Sequence, residues 1–164
     1  MNSMTIRFLL NGEQVEAQAD PRIHAIDFLR EQFELSSPRV GCEHGVCGAC
    51  TIRVDGQIIR GCLMLSMQLD GTTVDTIEGL TAAGEIADLQ EAFVARNAVQ
   101  CGFCTSGMLL TGQDFLKGAR SISREAIREH LSGNYCRCTG YEAIVDAIEA
   151  VAIRRGIQVT REAS

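Results

Sequence analysis

The chain has 164 residues, 46% of them apolar and 22% charged, the balance of a soluble globular protein with one ordinary domain or two small ones. A net charge of −6 leaves no basic footprint for nucleic acid, and no apolar run approaches the roughly 18 residues of a membrane span. Arg7 and Glu13 interrupt what a secretory leader would need as its apolar core, and no twin arginine stands near the start, so the cytoplasm is the expected compartment.

Residues 5–10 and 14–19 read as short strands joined by Asn11-Gly12, the strongest two-residue hairpin signal. Asp20-Pro21 then reads as a helix start, with Asp20 as the cap and Pro21 in the first turn. Ile23, Ile26, Phe28 and Leu29 give that helix an apolar face as far as Gln32. A loop over residues 33–40 leads into a glycine-rich stretch, 41–51, where Cys42, Cys47 and Cys50 stand with C-x4-C-x2-C spacing and Cys62 follows. Plant-type ferredoxins hold a [2Fe–2S] cluster with this spacing. A two-iron core needs four thiolates in two pairs, and Gly41, Gly45 and Gly48 permit the positive-φ turns that wrap a chain around it. A strand at 51–54, a turn at Asp55-Gly56, a return strand at 57–60 and a last strand near 73–76 complete a sheet of hairpins with one helix across it. The arrangement is α+β, of the β-grasp kind.

Beyond Gly79 strand-like alternation gives way to helical spacing, which places a boundary within 77–85 and divides the chain into a ferredoxin-like domain (1–78) and a helical domain (79–164). Leu89, Ala92, Phe93 and Arg96 lie on one helix with Asp88 as its expected cap. Met108, Leu109, Phe115 and Leu116 lie on a second, where Gly112 costs about 1 kcal/mol relative to alanine and so points to close packing. Ser123 caps a third helix carrying Ile127 and Leu131. Tyr141, Ile144, Val145, Ile148 and Val151 form the clearest 3.6-residue stripe, Gly156 ends it, and the last eight residues read as a polar tail. Four helices imply a four-helix bundle.

A second cysteine set falls in this half, Cys101 and Cys104 before the second helix and Cys136 and Cys138 before the fourth. Loops at one end of a bundle would bring these thiols together, either as a structural zinc site or as a second two-iron cluster. The tight C-x-C arm suits adjacent sulfurs on a two-iron core better than a tetrahedral zinc. In a reducing compartment all eight cysteines are then metal ligands, four and four, rather than disulfides.

Gln100-Cys101-Gly102-Phe103-Cys104-Thr105 followed by Gly133-Asn134-Tyr135-Cys136-Arg137-Cys138-Thr139-Gly140-Tyr141, after the ferredoxin loop, resembles the iron–sulfur small subunit of the molybdenum hydroxylases. This is the family of xanthine dehydrogenase, aldehyde oxidoreductase and aerobic carbon monoxide dehydrogenase, and the resemblance runs over nearly the whole chain. It implies a [2Fe–2S] cluster at each cysteine set, and contacts from Gln100 and Cys138 to a pterin held by another chain. It also implies an electron route from a molybdenum–pterin centre, as a cytosine dinucleotide form, on a large subunit to FAD on a medium subunit, in a dimer of heterotrimers. Two positions depart from the family's habit. Ser106 stands where proline is common, and is expected to cap the following helix; Tyr135 stands where leucine is frequent, and would need a hydroxyl partner if buried.

No Ser/His/Asp or paired-carboxylate arrangement is present, so no catalytic residue is assigned. His44 reads as a loop residue rather than a Rieske-type ligand, because four cysteines already suffice. His24 and His130 read as packing or surface residues. Arg137, between two ligands, reads equally as a charge that tunes a cluster and as the partner of a carboxylate. The Met64-Leu65-Ser66-Met67 run reads as core.

Overall fold

The computed structural model describes residues 3–160. Strands β1 (Met4–Leu10) and β2 (Glu13–Ala19) pair antiparallel in full register, from Met4 opposite Ala19 to Leu10 opposite Glu13. Asn11 and Gly12 both hold positive φ in the turn between them, at 52° and 87°. A second hairpin, β3 (Thr51–Val54) and β4 (Gln57–Arg60), turns at Asp55-Gly56 in the same way. Strand β5 (Thr73–Asp75) lies between the hairpins, parallel to β1 and antiparallel to β3, so the mixed sheet runs β2-β1-β5-β3-β4.

The pleat decides what is buried. Ile6, Phe8 and Leu10 point to one face of β1 while Thr5, Arg7 and Leu9 face out. Helix α1 (Ala25–Gln32) lays Ala25, Ile26, Phe28 and Leu29 on that face, over Ile52, Val54 and Val74. Phe8, Phe28 and Phe33 meet there, with near-perpendicular ring pairs at 5.7 and 5.8 Å. Such pairs add about 0.5–1.5 kcal/mol each beyond their buried area.

The expected start of α1 at Asp20 is displaced. Asp20 accepts from the Arg22 amide through its carboxylate (3.0 Å) and from the Ile23 amide through its carbonyl (3.1 Å), which closes a turn rather than a helix. His24 then stays extended and bridges to Leu65, and the Ala25 amide donates to Met64 O at 2.7 Å. Non-local pairing overrides the local cap, and the helix begins five residues after Asp20. The run from Met64 to Met67 divides accordingly: Met64 packs on the core, Ser66 is fully buried, and Met67 is exposed.

Among the described residues the second half contributes α2 (Ile77–Ala82), α3 (Ala87–Ala95), α4 (Thr105–Leu116), α5 (Arg124–Leu131) and α6 (Glu142–Arg154), which makes six α-helices in an α+β fold. Leu89 and Phe93 of α3, Met108 and Leu116 of α4, Ile127 and Leu131 of α5, and Ile144, Ile148 and Val151 of α6 form its core. The Ser123 hydroxyl accepts from the Ala126 amide at 3.1 Å and caps α5. Asp88 is not a cap. It lies inside the first turn of α3, where its carboxylate binds the Arg155 guanidinium through two contacts of 2.7 Å and ties α3 to the end of α6. The first part of the expected polar tail is a strand instead. Strand β7 (Gln158–Thr160) pairs parallel with β6 (Ser121–Ser123), and only 161–164 fall outside the described residues.

Helix α4 is buried on nearly every side from Ser106 to Gln113, because it packs on α2, α3 and α5, on β3 and β4, and through Gly112 against Ile148 of α6. Its two glycines mark the closest approaches. A Cβ on Gly112 would lie 3.2 Å from Ile148 Cδ1, whereas one on Gly107 would lie 2.2 Å from Gly48 O. The first neighbour is the tip of a flexible side chain and the second is backbone. Gly112→Ala is therefore expected to change stability by less than about 1 kcal/mol, since helix propensity offsets crowding. Gly107→Ala is expected to cost about 1–3 kcal/mol or more. Denaturation midpoints of the two variants, compared with the parent chain, check the contrast.

Candidate metal centres

The eight cysteines gather in the two sets that their spacing implies, and within each set the thiols come in twos. Cys42 neighbours Cys47 and Cys50 neighbours Cys62. In the helical half Cys101 Sγ lies 3.5 Å from Cys138 Sγ, and Cys104 neighbours Cys136. Among the described residues no three His, Cys, Asp or Glu side chains converge as ligands of one ion. A donor set in pairs fits a two-iron core, in which each iron takes two protein thiolates.

The first loop is shaped by its glycines. Gly45 and Gly48 hold φ of 75° and 73°, and a Cβ on Gly45 would fall 2.4 Å from Leu63 Cδ1. The amides of His44 and Cys47 both donate to Cys42 Sγ at 3.4 Å. The contribution of His44 to the site is thus a backbone donor. These two donors, Cys47 first, bring the Cys42 thiol down to about 6. Burial does the opposite to Cys50 and to Cys104, each pushed up to about 12.

The second loop repeats the device with different donors. Thr139 donates to Cys136 Sγ from its amide at 3.4 Å and from its hydroxyl at 3.1 Å, and these bonds hold the Cys136 thiol low against its own burial. The Tyr141 hydroxyl accepts from the Cys136 amide at 2.9 Å. That bond, with the Tyr141 amide donating to Thr139 Oγ1, accompanies a φ of 69° at Tyr141, a left-handed conformation for a bulky residue at the N-cap of α6. Tyr141 looked like one more member of an apolar stripe, and its polar function is invisible in the sequence.

The two loops touch. The Tyr135 amide donates to Cys47 O at 2.8 Å, which links the two cysteine sets through one hydrogen bond and a short run of covalent bonds. Asn134, only 2% exposed, donates to Gly48 O and accepts from Thr111 Oγ1. Arg60 reaches across from β4 to Gly133 O and Asn134 Oδ1. Ser106, the expected helix cap, instead donates to Ser37 O at 2.6 Å and fastens α4 to the loop before Cys42. Tyr135 is 55% exposed, so its hydroxyl needs no protein partner.

Gln100, Cys101 and Cys138 are exposed, whereas Cys50 and Cys62 are buried. Gln100 makes no side-chain hydrogen bond among the described residues. Arg137 is exposed, and no carboxylate pairs with it among the described residues. His130 packs its ring on Phe115 at 4.9 Å, a packing role. Exposed Val46, Leu63, Phe103 and Tyr135 surround the cysteine loops with apolar surface.

The family described as "2Fe-2S iron-sulfur cluster binding domain" matches residues 8–82, and the one described as "[2Fe-2S] binding domain" matches 76–149. The chain is 46% identical to the caffeine dehydrogenase subunit gamma of a Pseudomonas species, over 93% of each chain. It is also 46% identical to the nicotine 6-hydroxylase small subunit of Paenarthrobacter nicotinovorans, over 85% of this chain and 84% of that one. Among solved structures, quinoline 2-oxidoreductase from Pseudomonas putida 86 superposes with a TM-score of 0.86 at 45% identity, covering 94% of this chain and 98% of that one. The chain belongs to the iron–sulfur small subunits of the molybdenum hydroxylase-type dehydrogenases. The aldehyde oxidoreductase of Desulfovibrio gigas matches with a TM-score of 0.84 at 35% identity, and there the match covers 93% of this chain but only 17% of a far longer one. The resemblance read from the cysteine motifs therefore holds, and this is an electron-transferring subunit of an oxidoreductase. No helix among the described residues is long and apolar enough to cross a membrane.

The uneven thiols set a reactivity order. In the iron-free, reduced chain near pH 7, iodoacetamide is expected to label Cys42 first, because its thiol lies at about 6, and Cys50 and Cys104 last, at about 12. Timed alkylation with peptide mapping checks the order; equal rates at the three cysteines would contradict it.

Proposed function

We propose that the chain carries two [2Fe–2S] clusters and relays electrons from a molybdenum–pterin centre on a large subunit to FAD on a medium subunit. Cys42, Cys47, Cys50 and Cys62 hold one cluster, and Cys101, Cys104, Cys136 and Cys138 hold the other. The observation that carries this reading is the arrangement of eight thiols in four pairs, in two sets joined directly by the bond from the Tyr135 amide to Cys47 O. When bound, such clusters take up and release one electron at a time.

This chain's own residues prepare the sites. Backbone and threonine donors stabilise negative sulfur at Cys42 and Cys136, glycines let the loops close, and burial shields Cys50 and Cys62 from water. The helical-domain site is the inner relay, facing the pterin through exposed Gln100 and Cys138, and the ferredoxin-like site is the outer one, facing the flavin. The pterin is a cytosine dinucleotide form on the large subunit. The apolar rim of Val46, Leu63, Phe103 and Tyr135 is surface that partner subunits cover.

The working unit divides into a ferredoxin-like domain at 1–78 and a four-helix bundle of α3–α6 within 79–164. The complex is a cytoplasmic dimer of heterotrimers. Relatives near 45% identity are named for caffeine, nicotine and quinoline, and one at 35% for aldehydes. We extend the nitrogen-heterocycle class to the partner large subunit, and assay of the co-purified complex on quinoline-type and aldehyde substrates discriminates the two.

Purified chain is expected to carry about four irons and four acid-labile sulfides, and to give two distinct [2Fe–2S] EPR signals on reduction. One signal with stoichiometric zinc would replace the second cluster with a structural zinc site. Cys138→Ser is expected to abolish or alter the helical-domain signal while the ferredoxin-like signal persists. Loss of both together would contradict independent sites.

A further inference from the structure

Arg60 stands between the two cysteine sets without a counter-ion among the described residues. It lies two residues before Cys62 and pairs across the sheet with Thr51, which follows Cys50. Its guanidinium donates to Thr51 Oγ1, to Gly133 O at 2.8 Å and to Asn134 Oδ1 at 3.2 Å. Every one of these acceptors is neutral, and among the described residues no carboxylate lies within ion-pair distance of Arg60. Arg53, on the neighbouring strand, shows the ordinary arrangement: its side chain is largely enclosed and its guanidinium is met by Asp75 at 3.0 Å and by Glu85 at 2.7 Å. A partly buried cation is costly when nothing opposes it. A carboxylate beside Arg60 is what the sequence omits, although acidic residues outnumber basic ones in the chain.

We infer that Arg60 is the counter-cation of the cluster pair, a positioning residue that raises both reduction potentials while it fastens the loop before Cys136 to β4. The inference rests on the two-cluster reading. A two-iron core with four thiolates is a dianion when oxidised and a trianion when reduced, so a fixed positive charge beside it favours the reduced form. Screening by salt is weak for a charge held inside the seam between the domains. The guanidinium fork also suits the site, because a single side chain must reach one acceptor on strand β3 and two on the loop before Cys136. Gly133 has no side chain at the point where this matters: a Cβ there would lie 2.9 Å from Arg60 Nη2.

The test is a redox titration of the full cluster-loaded chain, followed by EPR of each cluster. Arg60→Met keeps the apolar stem and removes the charge. Both clusters are expected to become about tenfold harder to reduce at a given potential, which for a one-electron couple is a fall of 59 mV. Arg60→Lys keeps the charge and is expected to recover most of that fall in both. Gly133→Ala pushes the guanidinium aside without removing it, and is expected to give a smaller fall of the same sign. Either potential unchanged in Arg60→Met, or an equal fall with lysine and methionine, would overturn the inference and leave Arg60 as a tie between loops. If Arg60→Met does not load its clusters, Gly133→Ala decides, and unchanged potentials there overturn it. A parent chain that lacks the second [2Fe–2S] signal would instead remove the two-cluster reading, an outcome visible before any variant is made.

Discussion

The carbonyl of Gly48 is the point on which the two halves of the chain are registered. It accepts from the Thr51 amide at 3.2 Å, from the Thr51 hydroxyl at 2.6 Å and from the Asn134 side chain at 3.4 Å, while the backbone of Gly107 presses against it from α4. So many neighbours fit around one oxygen only because residues 48 and 107 lack side chains. Once this contact is made, Asn134 must be buried with both ends of its amide satisfied, which Thr111 and Arg60 accomplish at Oδ1. Tyr135 then follows in the chain with its amide aimed at Cys47 O, and Cys136 comes next. The placement of one cysteine set against the other is therefore a consequence of packing at a single carbonyl.

Each set mixes thiols that the protein has already turned toward the charged form with thiols it holds neutral. Cys42 and Cys136 receive hydrogen bonds, while Cys50 and Cys104 sit where burial opposes ionisation. The neutral members release their protons only when metal repays the loss of solvation, so cluster assembly and completion of the fold are thermodynamically linked. The linkage matters in a chain of this size. Each half owns a separate apolar core, and a core of that size leaves little surplus over chain entropy.

How much of this was legible varies with the range of the interaction that decides it. Both hairpins announced themselves through Asn11-Gly12 and Asp55-Gly56, because a two-residue turn is chosen by its own residues. The cysteine sets were legible for the same reason: ligand spacing is dictated by the size of the bound core. Asp20-Pro21 misled because its local preference lost to a bridge formed 41 residues away, between His24 and Leu65. Strand β7 was missed because a lone valine between two polar residues carries no pattern until β6 is beside it. The polar work of Arg60, Asn134, Thr139 and Tyr141 was hidden altogether. Nothing in a sequence distinguishes an asparagine bound for solvent from one that will be sealed between two loops.

The seam also sets what kind of motion the molecule permits. Arg53 joins β3 to the segment between α2 and α3 through Glu85, Gln113 of α4 donates to the same carboxylate at 3.2 Å, and Ser106 and Glu78 grip the loop at Ser37 from two directions. Exposed pairs such as Arg7 with Glu16 contribute little by comparison, because water screens them and their long side chains must be ordered. The enclosed contacts lie between the segments that meet here, and separating them would strip Asn134 of its bonds to Gly48 O and Arg60, and Glu78 of its bonds to Ser37, at about 1–3 kcal/mol for each buried group left short of a partner. A hinge would need contacts that open at small cost, and this boundary has been built from ones that do not. The two cysteine sets are thus held at a fixed separation, in a body whose loops are already aligned before anything binds them.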